Sequence, residues 1–87
     1  MAFYKRECPE SRGDEFDHWG SSIWYFETRE NGMPIKQIEI YSNGKVLKYD
    51  EANPEDKYGF LGDQELDLDE FKEFTISKDE FESIWNK

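Results

Sequence analysis

Four carboxylates at every second position, Asp63, Glu65, Asp67 and Asp69, form the densest chemistry-bearing pattern in the chain. Alternating acids are what a calcium loop uses, because oxygen ligands must converge on one hard cation. Such a loop also needs glycine at its sixth position and a bidentate glutamate at its twelfth. Counted from Asp63, those positions hold Leu68 and Phe74, so the pattern fails as a calcium loop. His18 is the only histidine, between Asp17 and Trp19. A general base needs a nucleophile or substrate held by other groups, and no serine or cysteine motif accompanies it. Cys8 is the only cysteine, which excludes an internal disulfide, and no Cys/His spacing suggests zinc. Paired acids of the glycosidase kind must sit at fixed separation with their pKa values driven apart, which a solvated acidic run does not provide. The glycines at 13, 20, 32, 44, 59 and 62 are isolated, so there is no phosphate loop. The expectation is a protein with no catalytic residue, no cofactor and no metal.

What the acids do offer is charge. The 87 residues carry 11 Lys and Arg against 21 Asp and Glu, a formal net charge of −10. Residues 50–73 hold ten acids against only Lys57 and Lys72, whereas residues 21–49 hold three acids and four bases. A protein that grips nucleic acid through its phosphates needs a basic footprint, and so does one that adheres to an anionic membrane. This balance excludes the first class and disfavours the second. The start MAFYKREC lacks an apolar signal-peptide core, and no run of 18 apolar residues exists, which predicts a cytoplasmic protein. Aromatic residues make up 17% of the chain, too many for simple disorder. At this length the expectation is a single domain over 1–87, burying about 60–65% of its unfolded surface.

The elements that must carry these groups can be read from two turns. Asn31-Gly32 and Asn43-Gly44 suit two-residue type I′ loops. The first loop would pair Trp24 with Glu39, Tyr25 with Ile38 and Glu27 with Lys36. The second would pair Ile40 with Leu47, Glu39 with Lys48 and Ile38 with Tyr49. One face then collects Ile23, Tyr25, Ile38, Ile40, Leu47 and Tyr49, and a slip of one residue would scatter that set. The opposite face collects Trp24, Phe26, Thr28, Gln37, Glu39, Tyr41, Val46 and Lys48, with Glu39 and Lys48 as a charge pair. Residues 1–20 read as an irregular lead-in, 21–50 as the β-meander and 51–73 as an acidic segment. Glu65–Asp69 reads as a short strand or extended loop, and Phe74-Thr75-Ile76 as a short fourth strand. Ser77-Lys78-Asp79-Glu80 matches a capping box, and the helix over 78–86 sets Phe81, Ile84 and Trp85 on one stripe that suits the apolar sheet face. The expected fold is α+β, an antiparallel three- to four-stranded meander with a C-terminal helix packed on one face.

The aromatics Trp24, Phe26 and Tyr41 admit two readings. They form a second small core roofed by the segment from Tyr58 to Phe74, or they remain partly exposed as an interaction surface.

Trp24-Tyr25-Phe26-Glu27, Gly32, Gln37-Ile38-Glu39, Tyr41, Asn43-Gly44 and Leu47-Lys48-Tyr49-Asp50 resemble stretches of a group of small, acidic, uncharacterised bacterial proteins. The C-terminal part, with Tyr58-Gly59-Phe60, Asp67-Leu68-Asp69-Glu70-Phe71 and Phe81–Trp85, is similar to theirs as well. In size and charge the chain resembles immunity proteins of bacterial toxin systems, including contact-dependent growth inhibition and colicin-like systems. That resemblance implies a non-catalytic protein that binds a basic toxin, a nuclease for example, as a monomer or weak dimer. Asp63, Glu65, Asp67, Asp69, Glu70 and Glu73 would face the toxin, with Trp24 and Tyr41 as aromatic anchors. The alternatives are a nucleic-acid-mimicking inhibitor of a DNA-binding protein and an acidic adaptor domain with no toxin partner.

Overall fold

A computed structural model describes all 87 residues. Four antiparallel strands, β1 (Ala2–Cys8), β2 (Ser22–Thr28), β3 (Pro34–Tyr41) and β4 (Val46–Asp50), form one sheet in the order β1-β2-β3-β4. A short helix α1 (Leu68–Phe71) runs into a 3-10 turn (Lys72–Phe74), and a second helix α2 (Lys78–Trp85) follows. The fold is α+β, as the sequence predicts. No helix is long and apolar enough to cross a membrane.

The lead-in is not irregular throughout. Residues 2–8 form an edge strand in which Ala2-Phe3-Tyr4 is followed by the charged block Lys5-Arg6-Glu7, so no period-2 alternation marks it in the sequence. The segment after Phe74 is not a strand. Thr75 makes a single bridge to Tyr4, and the Ile76 amide donates to the Phe3 carbonyl at 2.9 Å, so residues 75–76 strap the outer edge of β1.

Both Asn-Gly pairs do turn the chain, but in three-residue loops. The Gly32 amide donates to Arg29 and the Gly44 amide to Tyr41, both at 2.9 Å. Each glycine has φ of +93°, and each asparagine Oδ1 accepts the amide two residues on. This is a type I turn closed by a left-handed glycine, one residue longer than the type I′ loop. In the first hairpin the extra count is absorbed by a bulge that leaves Ile35 unpaired, so Trp24 faces Glu39, Tyr25 faces Ile38 and Glu27 faces Lys36, as expected. The second hairpin has no bulge. Ile38 therefore faces Lys48, Glu39 faces Leu47 and Ile40 faces Val46, which turns β4 over relative to the predicted register. Leu47 and Tyr49 leave the isoleucine face, and the expected Glu39–Lys48 pair does not exist.

Two layers result. On one face α2 covers Phe3, Tyr25 and Ile38 with Phe81, and Ile38 and Phe81 are fully buried at 0% exposure. Burying an aromatic or isoleucine side chain of this kind stabilises the fold by about 1.5–3 kcal/mol each. The Ser77 hydroxyl caps α2 by accepting from the Glu80 amide at 3.1 Å, and Lys48 Nζ closes its other end by donating to the carbonyls of Trp85 (2.7 Å) and Lys87 (2.9 Å). On the other face Trp19, Tyr41, Leu47 and Tyr49 form one cluster, and Tyr4, Phe26 and Phe71 another. Phe16, Tyr58 and Leu61 roof the first cluster, and Leu66 and Phe74 flank Phe71 over the second, leaving a strip between them uncovered.

Candidate functional site

The alternation of β3 points Gln37, Glu39 and Tyr41 to the second face, and β2 adds Trp24 and Phe26. Across the sheet the row runs Arg6, Trp24, Glu39, Leu47, so Glu39 has an indole on one side and a leucine on the other, with no cation opposite. It is 3% exposed. Its two oxygens accept from neutral donors, Oε1 from the Tyr41 hydroxyl at 2.6 Å and Oε2 from Gln37 Nε2 at 2.8 Å. Burial pushes the Glu39 carboxyl above its ordinary range, and the bonds from Tyr41 and Gln37 and the field of Arg12 offset only part of that push. The same pair lifts the Tyr41 phenol, through burial first and then through its carboxylate acceptor.

Gln37 also fixes the roof. Its Nε2 donates to the Phe60 carbonyl at 3.1 Å and its Oε1 accepts from the Gly62 amide at 2.9 Å. Arg12 fixes the other bank. Its guanidinium lies over the rings of Phe16 (5.1 Å), Trp19 (5.4 Å) and Tyr41 (5.9 Å), donates from Nη2 to the Tyr58 carbonyl at 2.6 Å, and pairs with Asp14 at 3.0 Å. Tyr49 reaches the base of the roof, donating to Asp56 at 2.9 Å, while the amides of Tyr58 and Gly59 reach the same oxygen. Burial opposes charge on Asp56, but these three bonds outweigh it and hold the carboxyl below its ordinary range.

Between these banks lies an open trough of about 510 Å³, floored by Trp24, Phe26, Gln37, Glu39 and Tyr41, with Asp63 and Phe60 on its lip. A second hollow of about 380 Å³ continues from Trp24 and Phe26 toward Arg6, Glu7 and Glu10. The uncovered strip of the second face is thus an aromatic trough with one buried carboxylate at its floor.

The expected partner-binding residues fall in two places. Asp63, Glu65, Asp67, Asp69, Glu70 and Glu73 are all exposed along and before α1. Asp67 caps α1, accepting from the amides of Asp69 (3.0 Å) and Glu70 (3.2 Å), and Glu70 pairs with Arg6 at 2.8 Å. Trp24 is half-buried on the trough floor. Tyr41 is 3% exposed, so it is a wall of the interior rather than a surface anchor. Glu39, Gln37 and Arg12 join the site without a sequence motif to mark them as binding residues. Glu39 was hidden by the one-residue register error that gave it Lys48 as a partner, and nothing local marks Arg12. Cys8 is half-buried, and burial raises its thiol pKa. No three His, Cys, Asp or Glu side chains converge as a metal site would require. No protein-family model, curated protein or solved structure matches the chain.

Proposed function

We propose that this is a non-catalytic immunity protein that binds a basic toxin, a nuclease domain, and occludes its cleft with the carboxylates of residues 63–73. The observation that carries the reading is the state of those acids. All six are exposed, and only Glu70 has a cation within ion-pair distance. Five carboxylates therefore stand uncompensated on a segment tied to the sheet through the Leu66 amide to the Gly32 carbonyl in the first hairpin turn (2.9 Å) and the Gly62 amide to Gln37 in β3 (2.9 Å). Fixed charges of one sign steer an oppositely charged partner and replace the phosphates that a nuclease cleft attracts. The reading places the protein in the cytoplasm, acting as a monomer or weak dimer.

The test is association with a toxin encoded immediately upstream. Asp67 and Glu70 are poor choices for substitution, because one caps α1 and the other holds Arg6. The combined variant Asp63→Asn, Glu65→Gln, Asp69→Asn, Glu73→Gln removes charge without touching either. We expect it to associate on the order of tenfold more slowly at low salt and to lose most of the salt dependence. Unchanged association and salt dependence would refute the surface. Capture of a host DNA-binding protein instead would favour nucleic-acid mimicry.

A further inference from the structure

We infer that the trough on the second sheet face is a receptor for one long cationic side chain, an arginine or lysine of the partner, with Trp24 flanking its stem and Glu39 facing its charge. The inference rests on the proposed function for the source of that cation, but the chemistry is the trough's own.

Three observations carry it. The first is Glu39. A carboxylate this deeply buried is normally matched by a cation, since an unpaired buried charge is costly. Here none lies within ion-pair distance, and both hydrogen bonds come from neutral groups. Folding has already stripped water from Glu39, so an arriving cation meets a carboxylate with little hydration left to lose.

The second is the lining. Trp24 and Phe26 line both hollows with ring centroids 6.0 Å apart; Trp24 is half-buried, Phe26 backs it at 6% exposure, and Phe60 is 60% exposed at the lip. Aromatic faces attract cations, and they pack against the alkyl stem of a lysine or arginine.

The third is charge complementarity. Two arginines touch the hollows, and each is already held by a carboxylate, Arg12 by Asp14 and Arg6 by Glu70. Glu39, Asp63, Glu7 and Glu10 remain without a cation partner at floor and lips. The open space is therefore net negative at both ends. Arg12, on one bank of the same trough, shows how this face already holds a guanidinium over three aromatic rings, and its field reaches Glu39 without an ion pair.

The experiment uses the free protein and small probes: N-acetyl-arginine methylamide, N-acetyl-lysine methylamide and the neutral N-acetyl-citrulline methylamide. Binding is followed through the Trp24 indole N–H, whose Nε1 donates to Ser22 at 2.8 Å, and through the Gly62 amide. The charged probes should shift both signals saturably and citrulline should not. Read at the Gly62 amide, Trp24→Ala should weaken the charged probes by about five- to thirtyfold, and Trp24→Phe by much less. Unchanged Trp19 and Trp85 indole signals would show that the variants remain folded. Glu39→Gln should remove the preference for the charged probes over citrulline; should that variant not fold, the Trp24 pair alone decides. Equal shifts from citrulline and arginine, or shifts confined to residues 63–73 with the Trp24 indole unmoved, would overturn the receptor. Neither result bears on toxin capture, and failed capture with intact probe binding would overturn the toxin reading alone.

Discussion

The Tyr41 hydroxyl reaches back along β3 and donates a 2.6 Å hydrogen bond to Glu39, two residues earlier on the same sheet face. The acid and the phenol share one face because side chains two apart on a strand point the same way, and the second hairpin sets Leu47 rather than Lys48 opposite Glu39. Replacing Tyr41 with Phe removes the shorter of the two bonds and leaves the carboxylate on Gln37 alone. The expected cost is about 1–3 kcal/mol at pH 7, read as a fall in the urea midpoint at unchanged slope.

Glu39 makes stability depend on pH in a direction opposite to most carboxylates. Its folded pKa lies above the ordinary 4.5, so the folded state holds the proton more tightly than the unfolded one. Above the raised value both states are ionised and the full burial cost stands. Below 4.5 both are protonated and the cost is gone. Lowering the pH from 7 toward 4.5 should therefore stabilise the parent protein relative to Glu39→Gln. Titration should stop there, because Asp17 and Asp56 are held below their ordinary 3.8 and their stabilisation is lost only on further acidification. A constant difference between parent and variant across that window would contradict the burial argument.

Gly32 and Gly44 share a φ of +93° but differ in their surroundings. A Cβ on Gly44 meets nothing within 4 Å, whereas one on Gly32 sits 2.8 Å from the Leu66 carbonyl. Gly44→Ala should cost roughly 1–2 kcal/mol of backbone strain. Gly32→Ala should cost more and should disturb the amides of residues 64–68. Equal costs with a quiet 64–68 segment would show that the roof does not rest on that turn.

Lys48 closes the C-terminus of α2 through two carbonyls. Lys48→Met keeps the stem and removes the donor. The expected loss is about 0.5–1.5 kcal/mol, with faster amide exchange confined to residues 83–87. Accelerated exchange through β3 and β4 would mean that the lysine supports the sheet rather than the helix end.

Much of this was legible in the residues. Ser77 and Glu80 announced the start of α2, and Phe81, Ile84 and Trp85 its buried stripe. The Asn-Gly pairs located both hairpins, and β2 against β3 came out in register because the Ile35 bulge cancelled the wrong loop length. Between β3 and β4 the same error went uncorrected. Asn-Gly serves a two-residue and a three-residue loop almost equally well, and the difference lies in whether Ser42 belongs to strand or turn. That choice moved Leu47, Tyr49 and Lys48 to the wrong faces and hid the solitary state of Glu39. β1 was missed because an edge strand needs less apolar alternation than a central one. The acidic band was visible from composition alone, but its division into a helix cap, an ion-paired acid and free carboxylates was not.

The strap of Thr75 and Ile76 against Tyr4 and Phe3 joins the two remotest quarters of the chain. During synthesis from the N-terminus, the first strand must wait for residues 75–85 to emerge before its outer rim is sheathed. A product truncated ahead of Thr75 would carry that rim bare and ready to zip onto a sister molecule.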